Sequence, residues 1–342
     1  MMDWTDRHCR FFLRGFSSTA LLYTEMITAA AIVRGDTRRL LAFDPEEHPV
    51  ALQLGGSEPR ELAAAARAGE EAGYDEINLN CGCPSDRVAS GAFGACLMRE
   101  PARVADCVAA MRAAVAIPVT VKMRIGVLSG TREQVRDGIA TFDESDLEAL
   151  HGFVTQVRDA GCEVAIVHAR KAVLGGLSPK DNREVPPLRY DVVRGLKQCF
   201  GELPLIVNGG FRTAASTLDA LTWCDGVMLG REAYHRPFVL SELQRALGGE
   251  AQFEPPGREM LLERMARYAQ RQLAQGERLS VITRHMLGLY AGEPGARDYR
   301  RLLSEGARAP GAGPELIQQA AAAVRAARQA QVPASPSGAS SG

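Results

Sequence analysis

Lys122 closes a short apolar run, Val119-Thr-Val-Lys-Met-Arg124, in a chain with 36 arginines and only 4 lysines. A lysine in that company points to a need for a compact ammonium rather than a planar fork. Such a charge would offset the negative charge of a reduced cofactor ring, the plain alternative being a lysine that snorkels from the mouth of the fold. His168 ends a second apolar run and is either a satisfied core histidine or a hydrogen-bonding group for a cofactor or substrate. Gln53, in a third run, offers both a donor and an acceptor, which is what the edge of a flavin or a pyrimidine requires. Cys96 lies in Gly94-Ala-Cys-Leu-Met98, near the start of a helix and after a long glycine-punctuated segment expected to cover the mouth of the fold. A thiol there can exchange a proton with a substrate, and a helix N-terminus tunes its acidity. Cys81 and Cys83, in Asn80-Cys-Gly-Cys-Pro-Ser85, read as structural.

Two glycine turns carry a different chemistry. Asn208-Gly209-Gly210 and Gly230-Arg231 each follow an apolar run. Glycine lets backbone N–H groups approach phosphate oxygens, and Arg231 can pair with the dianion; the plain alternative is a pair of tight turns. No G-x-G-x-x-G follows a strand and no G-x-x-x-x-G-K-[ST] occurs, so neither common nucleotide fingerprint is present.

These residues share a place in a repeating pattern. Apolar runs at 20–23, 50–54, 76–79, 119–123, 164–167, 205–207 and 226–229 alternate with alanine-rich amphipathic stretches at 59–72, 101–115, 146–160 and 214–221. That is the signature of a parallel sheet buried on both faces. Every run ends in polar or glycine residues, the first at Thr24-Glu25. An open sheet uses mainly one switch point, whereas a (β/α)8 TIM barrel builds its site from many strand ends. The α/β barrel is therefore expected. It wants eight strands and seven are visible. Residues 1–8 read as the loop after a strand, leading into a helix over 7–16, so the first strand is expected to lie upstream of this N-terminus; the alternative is a later segment supplying it.

The barrel domain is expected over 1–247, closed by a helix at 238–247. A Gly/Pro-containing linker spans 248–257. Helical patterns at 258–275, 280–290, 296–304 and 314–329 form a small all-α helical bundle over 258–329. The Ser/Pro/Gly/Ala tail, 330–342, is expected to be disordered.

The composition, 46% hydrophobic and 24% charged, excludes collagen, wholesale disorder and a disulfide scaffold. No apolar run approaches the roughly 20 residues of a membrane span, and the N-terminus has acids and aromatics where a signal peptide is basic and then apolar. A cytoplasmic protein is expected. Eight cysteines without a C-x-x-C pair read as thiols in a reducing compartment. Cys81, Cys83 and Cys96 lack an evident fourth partner for zinc or an iron–sulfur cluster, so no metal is expected. The net charge of −1 hides an asymmetry: residues 257–342 carry 12 arginines and 7 acids. A basic helical module fits a polyanionic partner, or else a solvated arginine-rich face.

Asn80-Cys-Gly-Cys-Pro-Ser85, Gly94-Ala-Cys-Leu-Met98, Val119-Thr-Val-Lys-Met-Arg124, Val167-His-Ala-Arg170, Asn182-Arg-Glu-Val-Pro-Pro-Leu-Arg189, Val207-Asn-Gly-Gly210 and Gly226-Val-Met-Leu-Gly-Arg231, in this order, resemble the tRNA-dihydrouridine synthase family. Arg284-His-Met-Leu-Gly-Leu-Tyr290 and Arg300-Arg-Leu-Leu-Ser-Glu305 correspond to its DusA type, and the likeness runs from residue 1 to about 328. The resemblance implies an FMN-dependent enzyme, reduced by NADPH, that saturates the C5–C6 bond of uridine 20 or 20a in the D-loop of tRNA. It implies Cys96 as the acid to C5, and Gln53, Lys122 and His168 against the flavin ring. It also implies Asn208, Gly209, Gly210, Gly230 and Arg231 around the ribityl phosphate, and Arg170, Lys171, Lys180 and Arg183 toward tRNA. A monomer without a required protein partner is expected. The family carries a strand ending in Ala-Pro-Met before the Met-Asp-Trp-Thr-Asp segment, and this chain begins at about that point. Two rivals remain open: a flavin barrel acting on a free pyrimidine, and a tRNA-binding homologue with impaired flavin binding.

Overall fold

The computed structural model describes residues 1–84, 93–248, 254 and 256–331. The segment expected over the mouth, at 85–92, lies outside the described residues, as do most of the linker and residues 332–342. Seven parallel strands form one sheet in chain order: β1 (Leu22–Thr28), β2 (Val50–Gly55), β3 (Glu76–Cys81), β4 (Val119–Arg124), β5 (Val164–His168), β6 (Leu205–Asn208) and β7 (Gly226–Met228). Parallel strands that follow one another in chain order put their right-handed crossovers on one side of the sheet, which is TIM-barrel winding. Local chemistry sets the helices: Pro59–Ala72 starts with proline in its first turn and stops at Gly73, whose φ of 97° lets it cap the C-terminus.

Among the described residues no strand precedes β1, and β1 and β7 are the edges of this sheet. The turn at residues 1–6 reaches both edges. The Asp3 amide bonds the Glu25 carboxylate on β1, while Trp4 lies on Tyr234, with ring centroids 4.6 Å apart, just beyond β7.

β1 corrects an expectation. It runs on to Thr28 rather than ending at Thr24-Glu25. Its register against β2 shifts between Tyr23 and Met26, and there Thr24 Oγ1 accepts the Gln53 N–H at 2.9 Å in place of a backbone carbonyl. A side chain thus satisfies the bulged ladder, which is why polar residues sit inside a strand. Helices at Ala29–Arg34, Arg132–Ala140 and Tyr190–Cys199 were not expected from periodicity, and the helix expected over 280–290 is only Leu279–Thr283 followed by turns.

Two apolar cores result. One lies between the sheet and its covering helices. The other joins the helix Arg7–Arg14 to the C-terminal helices: Phe11, Phe12 and Phe16 pack with Leu262, Met265 and Tyr268. Phe11 stacks on Tyr268 at 3.9 Å. Arg264 and Arg271 reinforce the contact through Glu46 and Asp44. The helical region is therefore packed against the barrel side. No helix of the described residues is long and apolar enough to cross a membrane.

Candidate active site

Strand alternation sorts the side chains that matter. Leu52, Leu54, Ile77, Leu79, Val121 and Val167 belong to the core under the helices. The alternate positions, Gln53, Asn78, Asn80, Thr120, Lys122, Arg124, His168 and Asn208, form a polar inner face where barrels usually carry branched aliphatics. Register then brings them together. Asn80 stands opposite Lys122, Arg124 opposite His168, and His168 opposite Asn208. Gln53 joins through Asn80, whose Nδ2 donates to Gln53 Oε1 at 2.8 Å. Four sequence-predicted residues thus meet on one rim, and Asn80 is an addition that sequence reading passed over.

Burial, with help from the Arg124 charge, pulls the Lys122 ammonium down to about 8. Lys122 makes no side-chain hydrogen bond with the described residues, so its charge is held ready rather than spent. The native protein therefore binds fewer protons here than the unfolded chain between about pH 8 and 10.5, and stability from this group rises with pH across that window. Lys122→Met is expected to raise the melting temperature of the cofactor-free protein most below pH 8, with the gain over wild type shrinking toward pH 10.5. A pH-independent gain would refute the buried charge. His168 is held well below its usual pKa, first by burial and then by the Arg124 and Lys122 charges. It is a neutral imidazole, one donor and one acceptor.

At the end of β6, Gly209 and Gly210 have φ of 112° and 81°. A Cβ on Gly209 would stand 2.5 Å from His168 Cδ2, and one on Gly210 would stand 2.8 Å from Tyr190 Oη. Only glycine fits both the backbone and the space. The N–H groups of Gly209, Gly210, Gly230 and Arg231 make no hydrogen bond with the described residues. They are donors of the kind phosphate needs. Asn208 does not aim at that cradle directly: its Nδ2 donates to the Met228 carbonyl at 2.7 Å, tying β6 to β7.

Arg231 pairs with Glu184 at 2.8 Å. Arg170 reaches the Glu184 carbonyl at 3.3 Å, and its Nε is buried without a partner among the described residues. Burial and the neighbouring Arg231 lower the Arg183 pKa. Arg170, Arg183 and Arg231 thus crowd one side of the mouth, with Lys180 exposed nearby. Lys171 is different and corrects its assignment toward RNA. It is 4% exposed, and its ammonium bonds Asp146 at 2.6 Å and the Gly138 carbonyl at 3.3 Å. Arg124, not singled out from sequence, is buried and donates to the carbonyls of Gly82, Lys171 and Asn182. It pins three loops at the rim.

The thiols also separate. Cys96 Sγ donates to the Phe93 carbonyl at 3.1 Å; burial and then Glu100 raise its pKa, and its charged neighbours are Glu100 and Arg99. Cys83 instead interacts electrostatically with Lys122, Arg124 and Arg183. Its N–H is held by Asn80 Oδ1 at 3.0 Å. Cys96 is thus the thiol that holds its proton, and Cys83 the one set among the charges of the rim. None of the eight cysteines is in a disulfide.

The dihydrouridine synthase family model matches residues 1–327. The chain belongs to the dihydrouridine synthase family. It is 55% identical over 320 residues to a tRNA-dihydrouridine(20/20a) synthase of Xanthomonas campestris pv. campestris, covering 94% of this chain and 90% of that protein. A Pseudomonas aeruginosa protein of the same name is 54% identical over 304 residues, 89% of this chain and 87% of its own. One from Vibrio vulnificus is 50% identical over 325 residues, 95% of each. The family is flavin-dependent. The residues present fit such a group: a neutral imidazole, an ammonium and a fixed carboxamide flank a glycine cradle whose amides, like the buried Arg170 Nε, have no partner among the described residues.

Proposed function

We propose that this dihydrouridine synthase reduces uridine 20 or 20a in the D-loop of tRNA, with FMN bound at the rim and NADPH as reductant. The observation that carries the reading is the convergence of Gln53, Asn80, Lys122 and His168 beside the amide-lined turn at Gly209 and Gly210. When bound, the flavin supplies hydride to C6 of the uracil. Gln53, Lys122 and His168 hold the ring by its polar edge, and the Lys122 ammonium offsets charge gathering there. Gly209, Gly210, Gly230 and Arg231 hold the phosphate, with Asn208 keeping their strands in register. A proton delivered to C5 completes the reduction, so that the double bond becomes a single bond.

The reading adopted keeps Cys96, in Gly94-Ala-Cys-Leu-Met98, as the proton donor: burial raises its pKa, so the thiol stays protonated and has a proton to give. The target base is stacked in folded tRNA and has to leave its stack to reach this thiol. Arg170, Arg183 and Lys180 are the side chains assigned to its flanking phosphates in this reading.

The bundle over 258–329 is the second RNA-binding surface in this reading, attached to a barrel unit over 1–247. Part of its excess charge is already committed: Arg264, Arg271 and Arg284 pair with acids of the barrel side. Arg267, Arg278, Arg297, Arg300 and Arg308 form no ion pair with the described residues and are available for phosphates. Affinity for tRNA is expected to fall steeply with salt, and Arg183→Ala to flatten the log–log slope by roughly 0.7–0.9. Anisotropy titrations from 50 to 300 mM salt check this, and a flat salt dependence would exclude the electrostatic grip. A monomer acting in the cytoplasm completes the proposal. The test of function is dihydrouridine formation in unmodified tRNA.

A further inference from the structure

Glu76, Asn78 and Asn80 occupy alternate positions of β3, and their side chains carry a one-way chain of hydrogen bonds along the inner face. Tyr23 Oη and Thr120 Oγ1 both donate to Glu76 Oε1, at 2.8 and 2.6 Å. The hydroxyl proton of Thr120 is spent there, so its oxygen accepts from Asn78 Nδ2 at 2.7 Å. Asn78 Oδ1 accepts from Gln53 Nε2 at 2.9 Å, and Gln53 Oε1 accepts from Asn80 Nδ2 at 2.8 Å. Asn80 Oδ1 ends the chain on the N–H groups of Gly82 and Cys83, both at 3.0 Å.

Both ends dictate the direction. A carboxylate oxygen only accepts, and a backbone N–H only donates. Turning either central amide over breaks two bonds, and Asn78 and Thr120 are fully buried, so water cannot replace them. Aliphatic side chains would fill this space with no desolvation cost. What the polar column adds is a defined orientation.

We propose that Glu76, Thr120 and Asn78 are positioning residues that lock the Gln53 carboxamide in one orientation, presenting its second N–H and second lone pair as a preset pair to the pyrimidine edge of the flavin. The inference rests on the flavin reading of Gln53 above. None of the three need touch the cofactor. They act through Gln53, and their contribution is preorganisation, which appears in affinity because the amide is not ordered at the moment of binding.

Thr120→Val removes one hydroxyl at nearly constant volume, and Thr120→Ser keeps it. Two readouts are needed. In cofactor-free protein, side-chain amide NMR signals of Gln53 and Asn78 are expected to exchange slowly with water in wild type and Thr120→Ser, and to shift and exchange faster in Thr120→Val. FMN affinity, followed by quenching of flavin fluorescence, is expected to weaken about fivefold in Thr120→Val, the size of one lost buried hydrogen bond, and to return within about twofold in Thr120→Ser. Unchanged amide signals in a folded Thr120→Val overturn the relay itself. Altered signals with unchanged FMN affinity overturn the flavin end of the proposal, because the amide would then be ordered for something else. If Thr120→Val does not fold, Glu76→Gln gives the same decision, since its amide removes the acceptor-only end of the chain.

Discussion

Cys96→Ala is expected to lower dihydrouridine formation by about 10²–10⁴, the usual worth of a positioned general acid, while NADPH still reduces the bound flavin at the wild-type rate. Cys83→Ala is expected to stay within about threefold of wild type. The contrast follows from the state of each thiol. Burial and then Glu100 raise the Cys96 pKa, so it keeps the proton that C5 needs, whereas Cys83 is set among the Lys122, Arg124 and Arg183 charges. Separate half-reaction kinetics check the assignment: the defect belongs in the oxidative half, where tRNA is reduced. Should Cys83→Ala be the inactive variant and Cys96→Ala the active one, the acid moves to Cys83.

Lys122→Met is expected to cost about 10²–10³ in turnover, as does removal of one preorganised charge partner from an active site. The same variant is expected to be the more heat-stable one at neutral pH, because burial is what draws the ammonium down to about 8. Opposite signs for stability and activity at one residue are the mark of a charge kept for function. Lys122→Arg is not a rescue: the guanidinium is broader, and the space beside Asn80 and Arg124 is already filled by hydrogen-bonded groups. Steady-state turnover with thermal melts of all three proteins checks this, and a Lys122→Met enzyme with full turnover would remove the residue from the chemistry.

Much of the barrel is legible in the chain because a doubly buried strand is a near-continuous apolar run, and seven of these stand out. Their ends were legible for the same reason: Lys122, His168 and the Gly209-Gly210 turn break apolar runs at once. Thr24 and Glu25 misled because a bulge hides polar residues inside β1. Lys171 misled because a lysine after a strand looks solvent-facing, yet its neighbour Asp146 comes from a helix 25 positions earlier, and no local pattern announces that pair. The setting of Cys83 is not legible in the chain because the charges around it lie on β4 and in the 180–184 loop, and only register brings them there. The signal for the polar column was present in Glu76-Ile-Asn-Leu-Asn80, three polar side chains at period two in an otherwise apolar strand.

In the proposed reading this rim reduces a uridine held within tRNA. Unmodified tRNA carrying uridines at 20 and 20a, incubated with FMN-loaded enzyme and NADPH and then mapped by mass spectrometry after nuclease digestion, tests it most directly. A gain of two hydrogens at position 20 or 20a, absent with free uridine as substrate and lost in Cys96→Ala, is the predicted result. Reduction of free uridine with the tRNA left unmodified would contradict the account.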